Sequence, residues 1–154
     1  MEKLISTGPE KVIFLDIDGV LNSNRSTEPI IAEDMVKRLA HIARKTGASI
    51  VLSSSWRYEY ARHINSESDY FDKDVDRLII LLKKYGLEIA DITPLSYITG
   101  ANARPYEIRT WLAGRANVKR FVILDDEFWL WNYLEDFVVC TMHMASGGIP
   151  TYGL

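Results

Sequence analysis

The feature that most constrains this chain is a short apolar run, residues 12–15, followed directly by Asp16, Asp18 and Gly19. Valine, isoleucine, phenylalanine and leucine in succession predict a strand that is buried on both faces. A carboxylate at the end of such a strand is costly unless a metal or a ligand offsets its charge. The alternative is a simple turn, in which both aspartates accept backbone hydrogen bonds and the glycine supplies a positive φ.

The length and composition of the chain are those of one globular domain. At 154 residues, 47% hydrophobic and 25% charged, a single domain over residues 1–154 is expected. The net charge of −3 argues against a strongly basic nucleic-acid binder, although local basic patches stay open. The single cysteine, Cys140, excludes a disulfide within the chain and is expected to be a small core residue.

The ends and apolar runs of the chain favour a cytoplasmic protein. The first six residues are too few and too polar for a signal peptide. No apolar run approaches the length that a bilayer crossing needs, so no membrane partner is expected.

Predicted strands and helices alternate along the chain, which favours an α/β fold with a mostly parallel sheet between two layers of helices. The predicted strands are residues 11–16, 48–52, 87–92, 120–124 and 137–141. The predicted helices are residues 32–46, a segment around 75–82, a segment beginning near Pro105, and a short segment at 127–135. Residues 58–74 have a mixed pattern that indicates a short helix and an exposed loop, the one stretch suited to a small lid.

Polar residues follow the second predicted strand at once, in the order Ser53, Ser54, Ser55, Trp56 and Arg57. Serines after a strand are common turn residues, so the hydroxyl groups alone are weak evidence of a site. The arginine is suited to pairing with a phosphate, and the tryptophan is suited to stacking on a base or another ring. Core packing at the start of a helix is the alternative for the tryptophan.

A second apolar strand also ends in acids, Asp125 and Asp126. If this strand lies beside the first, their carboxylates share one cleft with Asp16 and Asp18 and repel one another by several kcal/mol. A hard divalent cation such as Mg²⁺ would offset that repulsion. The expected ligands are the side chains of Asp16 and Asp125 and the backbone carbonyl of Asp18, with Asp126 binding through water or orienting the others. A helix N-cap explains Asp126 but leaves Asp125 unexplained.

These motifs, in this order, resemble the haloacid dehalogenase (HAD) superfamily of phosphotransferases. The pattern D-x-D-G-V-L after the first strand is similar to the family's first motif, and the resemblance spans about residues 11–141. It implies that Asp16 is the nucleophile, that Asp18 is the general acid and base, and that Ser53 donates a hydrogen bond to the transferring phosphoryl group. Ser54 and Ser55 are the alternatives for that hydroxyl.

The resemblance also implies a cation, most often lysine, some way before the second acidic strand end. Arg104 lies 21 residues before Asp125 and is followed by a proline, as the lysine is in many relatives. Its role would be to hold the nucleophile and the phosphoryl oxygens. Arginine is a planar fork where lysine is a point charge, so the geometry must differ. Arg109 on the same predicted helix is the alternative, and a surface position is a third interpretation of Arg104.

The segments D-I-D-G-V-L-N, S-S-S-W-R, R-P-Y-E-I-x-x-W-L and L-D-D-E look like a small branch of HAD domains found alone or fused to nucleic-acid repair modules. The resemblance implies a HAD-like, Rossmann-like three-layer sandwich with a minimal cap domain or none, and a Mg²⁺-dependent phosphatase that forms an aspartyl-phosphate. The implied substrate is a nucleic-acid end, a nucleotide or another phosphate. A catalytically silent binding module and a receiver-like domain are the alternatives.

Overall fold

A computed structural model of the protein describes residues 8–22, 31–65, 69–96, 99–100, 103–127 and 134–141. Its strands are β1 (Lys11–Leu15), β2 (Ser49–Leu52), β3 (Ile89–Ile92), β4 (Arg120–Asp125) and β5 (Val138–Cys140). They form one sheet in the order β3-β2-β1-β4-β5, and every neighbouring pair is parallel. The first strand of the chain therefore lies at the centre of the sheet, which explains why its apolar run is continuous.

In the part of the chain that the structure describes, four helices connect these strands. They are α1 (Glu33–Thr46), α2 (Trp56–Ile64), α3 (Lys73–Lys84) and α4 (Ala103–Ala113), and a 3₁₀ turn (Glu135–Phe137) precedes β5. The alternation that the sequence predicted is confirmed, and the chain has the α/β architecture of a HAD-like, Rossmann-like domain. Among the described residues, no additional folded unit is inserted between β1 and α1 or between α3 and β3.

Both faces of the sheet are covered. Ile13 and Leu15 of β1 point to the side where α1 and α3 pack and where the larger core cluster lies. Phe14 points to the other side and meets Trp111 of α4 edge to face, with their ring centroids 5.4 Å apart. This alternation along one strand places helices on opposite faces, as the three-layer arrangement requires.

The helix ends follow the signals in the sequence. The N–H of Gly47 donates to the carbonyl of Ala43, and this glycine ends α1 at a positive φ of 69°. At the start of α3, the side chain of Asp72 accepts hydrogen bonds from the N–H groups of Asp74 and Val75, both at 2.9 Å. Pro105 lies in the first turn of α4, as expected.

Two expectations differ from the structure. Most of the helix predicted at 127–135 lies outside the described residues, but Glu127 is not helical, because its N–H donates to the side chain of Asp125 in a turn. Cys140 is exposed rather than part of the core. It lies on β5, an edge strand, and an apolar run by itself does not distinguish an edge strand from a central one.

The region proposed as a lid is partly helical. Its first half belongs to α2, which contacts α3, and residues 66–68 lie outside the described part of the chain. None of the helices in the described part of the chain has the length and the apolar character that crossing a membrane requires.

Candidate active site

The register of the sheet brings three polar side chains to one edge. Leu15, the last residue of β1, is paired with Leu52 of β2 and with Leu124 of β4. The residues that follow, Asp16, Ser53 and Asp125, are therefore level with one another. The carboxyl edge of a parallel sheet is where ligands bind in folds of this class.

Backbone hydrogen bonds fix that alignment. The N–H of Asp16 donates to the carbonyl of Leu124 at 3.0 Å, and the N–H of Ser53 donates to the carbonyl of Leu15 at 3.0 Å. The two acidic strand ends, 109 residues apart in the chain, thus lie side by side and not on opposite sides of the molecule.

Three carboxylates converge at this edge. Asp16, Asp125 and Asp126 each offer an oxygen, and these oxygens lie within 4.8 Å of one another. Asp16 is 4% exposed and Asp125 is fully buried. Burial raises the pKa of Asp16 from 3.8 to about 7; the charge of Arg104 opposes this rise, and the charge of Asp125 adds to it. A buried acidic group of this kind is stabilised by a cation, because the carboxylates repel one another.

Arg104 is the cation that the structure places against these acids. From the first turn of α4, its Nη1 lies 2.6 Å from Asp125 Oδ2 and 3.4 Å from Asp16 Oδ2. Burial by itself lowers the pKa of Arg104, but the negative charges of Asp16 and Asp125 have the larger combined effect. The pKa of Arg104 is therefore raised, and the guanidinium stays charged. Arg109, the alternative, lies on the exposed side of α4.

Ser53 and Ser54 are both buried but differ in what their hydroxyl groups do. The hydroxyl of Ser53 makes no hydrogen bond with any residue that the structure describes. The hydroxyl of Ser54 accepts a hydrogen bond from the N–H of Trp56 at 3.2 Å and so begins α2. Ser55 is exposed. Of these three serines, Ser53 alone has a buried hydroxyl group without a partner among the described residues, which is the state expected of a group that awaits a ligand.

Asp18 lies apart from the three clustered carboxylates. Trp56 Nε1 donates to its carboxylate, at 3.2 Å from Oδ2 and 3.3 Å from Oδ1, and Asn22 Nδ2 donates to Oδ1 at 2.9 Å. The side-chain oxygen of Asn22 accepts from the N–H of Gly19 at 3.0 Å, which fixes the orientation of the amide. The polar edge of Trp56 thus faces the site, a contact that the expected stacking role did not include.

The loop after β1 also packs closely against Asp126 and Thr141. Gly19 has a φ of 81°, and a side chain at this position would collide with the carboxyl group of Asp126. The hydroxyl of Thr141 donates to the Gly19 carbonyl at 2.8 Å, and the N–H of Thr141 donates to the carbonyl of Asp125 at 2.9 Å. Thr141 therefore fixes the position of the two acidic strand ends relative to each other.

Arg57 was expected to face a phosphate, and the structure places it elsewhere. Its guanidinium is buried in an ion pair with Glu107 of α4. It also donates to the carbonyls of Ser54 at 2.9 Å and of Pro94 at 3.3 Å. A buried arginine needs such partners, and Glu107 supplies the negative charge that a phosphate was expected to supply. Arg57 thus joins α2 to α4 and is removed from the substrate-binding set.

Sequence reasoning missed Glu107 and Thr141 and gave Asn22 no role. Glu107 carried a signal, because it is an acidic residue three positions after Arg104 among the apolar positions of α4. Thr141 also carried one, since it follows an apolar strand directly, as Ser53 does. In each case the partner lies far away in the chain, so the sequence offered no means of pairing them.

Residues 12–145 match the family model described as the HAD domain in Swiss Army Knife RNA repair proteins. The chain belongs to this family. The match covers all five strands of the sheet except Lys11, the first residue of β1, and it includes all the residues of the acidic cluster. A comparison with curated proteins finds no significant relative.

HAD domains typically use a divalent metal ion, and the acidic cluster of this HAD domain fits such an ion. Asp16, Asp125 and Asp126 offer only carboxylate oxygens, the ligand type that hard cations prefer. They come from the ends of two adjacent strands, so the backbone holds them in place before an ion arrives.

Proposed function

We propose that this HAD domain is a Mg²⁺-dependent phosphomonoesterase in which Asp16 is the nucleophile. The observation that carries the proposal is the convergence at one sheet edge of Asp16, Asp125, the charged Arg104 and the unsatisfied hydroxyl of Ser53. A nucleophile, a cation and a hydrogen-bond donor around one point are what transfer of a phosphoryl group needs.

The metal would be held by the side chains of Asp16 and Asp125 and by the backbone carbonyl of Asp18, with Asp126 as a direct or water-mediated ligand. When bound, Mg²⁺ offsets the charge that Asp16 shares with the phosphate oxygens and so reduces the repulsion between two anions. Mg²⁺ is preferred to softer metals because all the proposed ligands are oxygens.

The residues of the chain would carry the reaction in two steps. A carboxylate oxygen of Asp16 attacks phosphorus in line, and the bond from phosphorus to the leaving oxygen breaks as Asp18 gives that oxygen a proton. Asp18 then takes a proton from the water that attacks the aspartyl-phosphate, which releases inorganic phosphate and restores Asp16. Ser53 and Arg104 donate hydrogen bonds to the phosphoryl oxygens throughout.

The favoured substrate is a phosphorylated nucleic-acid end. The family description names RNA repair proteins, and among the described residues no inserted domain closes over the sheet edge. An open edge admits a polymer end, whereas enclosure by a cap domain suits small metabolites. A free nucleotide is the competing small substrate, and a silent binding module is the competing function.

Hydrolysis of p-nitrophenyl phosphate with Mg²⁺ tests the proposed chemistry. Asp16→Asn removes the nucleophile and is expected to abolish turnover, while Asp34→Asn, the same change on the exposed side of α1, should leave turnover intact. Normal activity of Asp16→Asn would exclude Asp16 as the nucleophile. Asp18→Asn is expected to be nearly as inactive, because the leaving oxygen then lacks its proton donor.

A comparison of substrates tests the proposed class. Oligonucleotides with a phosphate at the 3′ or the 5′ end, of RNA and of DNA, are compared with mononucleotides and sugar phosphates. We expect kcat/KM to be higher for an oligonucleotide end than for the matching mononucleotide. A preference for the mononucleotide would support the competing substrate, and binding without turnover of any phosphate would support the silent module.

A further inference from the structure

The Asp18 carboxylate is held by two uncharged donors that come from separate parts of the chain, the indole of Trp56 and the amide of Asn22. We propose that Trp56, assisted by Asn22, is a positioning residue that aims the Asp18 carboxyl group at the leaving oxygen. This inference rests on the proposed function, and it assigns Trp56 a role in proton transfer in place of stacking on a base.

The indole is suited to this role because its own position is fixed. The hydroxyl of Ser54 accepts the Trp56 backbone N–H at 3.2 Å, and the Trp56 ring packs against the larger core cluster. The next residue, Arg57, is anchored by the buried ion pair with Glu107. The first turn of α2 is thus attached to the β2 loop, to the core and to α4, so the indole N–H has a defined direction.

The chemistry of the two donors matches what an acid and base requires. An indole N–H donates only, and it carries no charge. The indole N–H can therefore keep its hydrogen bond to the Asp18 carboxyl group whether or not that group carries the proton. It forms no ion pair with the carboxylate that would compete with proton transfer to the leaving group. Trp56 Nε1 reaches both oxygens and Asn22 reaches Oδ1, so the plane of the carboxyl group is fixed.

Leaving groups that differ in their need for a proton test this role. The parameter kcat/KM reports the steps up to transfer of the phosphoryl group to Asp16. A p-nitrophenolate departs readily without a proton, whereas an alkoxide does not, so a misaimed Asp18 harms alkyl phosphates more. For Trp56→Phe we expect the loss in kcat/KM to be at least about tenfold larger for an alkyl phosphate than for p-nitrophenyl phosphate. Equal losses on both substrates would mean a merely structural role and would overturn the proposal.

Trp111→Phe is the matched control. Trp111 Nε1 also donates to a carboxylate, that of Asp91 at 2.8 Å, but it lies in the core between α4 and the sheet. Its substitution is expected to lower the melting temperature and to leave the ratio of the two kcat/KM values unchanged. A change of that ratio as large as the one in Trp56→Phe would assign the effect to general loosening and would contradict a specific role for Trp56.

The hydrogen bond itself is tested without any assay of activity. In a ¹H–¹⁵N spectrum, the Nε1–H signal of Trp56 is the one missing from Trp56→Phe. We expect this signal to move in Asp18→Ala while the Trp111 signal stays in place, and an unmoved signal would overturn the proposal. A wild-type protein that hydrolyses no phosphomonoester would refute the proposed function, whereas an active enzyme with an unmoved signal would refute only the positioning role.

Discussion

At the residue scale, the hydroxyl of Ser53 gives the strongest support to the proposed phosphate site, because it is buried and has no partner among the described residues. A buried hydroxyl without a hydrogen bond is unfavourable in the free protein. A bound phosphoryl oxygen would accept a hydrogen bond from this hydroxyl. Binding would therefore remove the unfavourable free energy of the unsatisfied group.

Ser53→Ala should therefore separate activity from stability. We expect kcat/KM for p-nitrophenyl phosphate to fall about 100-fold, since one preorganised donor to the transferring group is lost. The melting temperature should stay the same or rise, because the Ser53 hydroxyl makes no hydrogen bond with the described part of the chain. Ser49→Ala, the same change at the other end of β2, is the control for both measurements. A large drop in melting temperature would indicate that Ser53 is a structural residue.

Arg104 makes a second residue-scale prediction. One guanidinium nitrogen of Arg104, Nη1, contacts both Asp16 and Asp125, and the ammonium group of a lysine keeps the charge but not the planar geometry. Arg104→Lys should retain a measurable fraction of kcat/KM, and Arg104→Ala should retain far less. The same substitutions at Arg109 should change kcat/KM little, and a larger loss at Arg109 than at Arg104 would reverse the assignment.

At the scale of secondary-structure elements, Arg57 holds two helices together. The ion pair with Glu107 joins the first turn of α2, which carries Trp56, to α4, which carries Arg104. Both side chains are almost fully buried, so neither charge has water as an alternative partner. The two helices that frame the site are thus held together by one contact behind it.

Removing one member of this pair should be costly. For Arg57→Met or Glu107→Leu we expect the free energy of unfolding in urea to fall by about 3–5 kcal/mol, because the remaining charge is left buried and alone. The double variant should be more stable than either single variant, since no unpaired charge remains. Single variants that lose less than about 1 kcal/mol, the range of exposed pairs, would contradict the burial of this contact.

At the scale of the whole molecule, we expect the acidic edge to make stability depend on pH and on a bound divalent metal. The pKa of Asp16 is raised from 3.8 to about 7 in the metal-free protein. The folded protein therefore holds a proton that the unfolded chain releases at lower pH. Its metal-free stability should decrease as the pH rises through the interval between these two values.

A divalent ion should reverse that decrease. Saturating Mg²⁺ is expected to raise the melting temperature, and to raise it more at about pH 8 than at about pH 5.5. At the lower pH the ion must displace the proton from Asp16, whereas at the higher pH that carboxyl group is already ionised. Asp125→Asn should lose most of this shift. A Mg²⁺-induced shift that is equal at both pH values, or one that persists in Asp125→Asn, would argue against a metal site at this edge.

The sequence by itself determined the class of fold and the residues at the ends of its central strands. A strand buried on both faces needs a continuous apolar run, and such a run is visible without knowing its neighbours. The acids after β1 and β4 were visible for the same reason, because a charge directly after a buried strand stands out locally. The end of α1 at Gly47 was equally local, since this glycine adopts a positive φ.

Only the tertiary structure decided which of these residues meet. The apolar pattern of β1 does not say that it pairs with β4 in the register that aligns Asp16 with Asp125. No local pattern in the sequence indicates that Glu107 lies beside Arg57, or that the Trp56 indole reaches Asp18. Burial is a property of one segment and leaves a period in the sequence, whereas a contact depends on how distant segments pack, and that packing leaves no pattern in either segment alone.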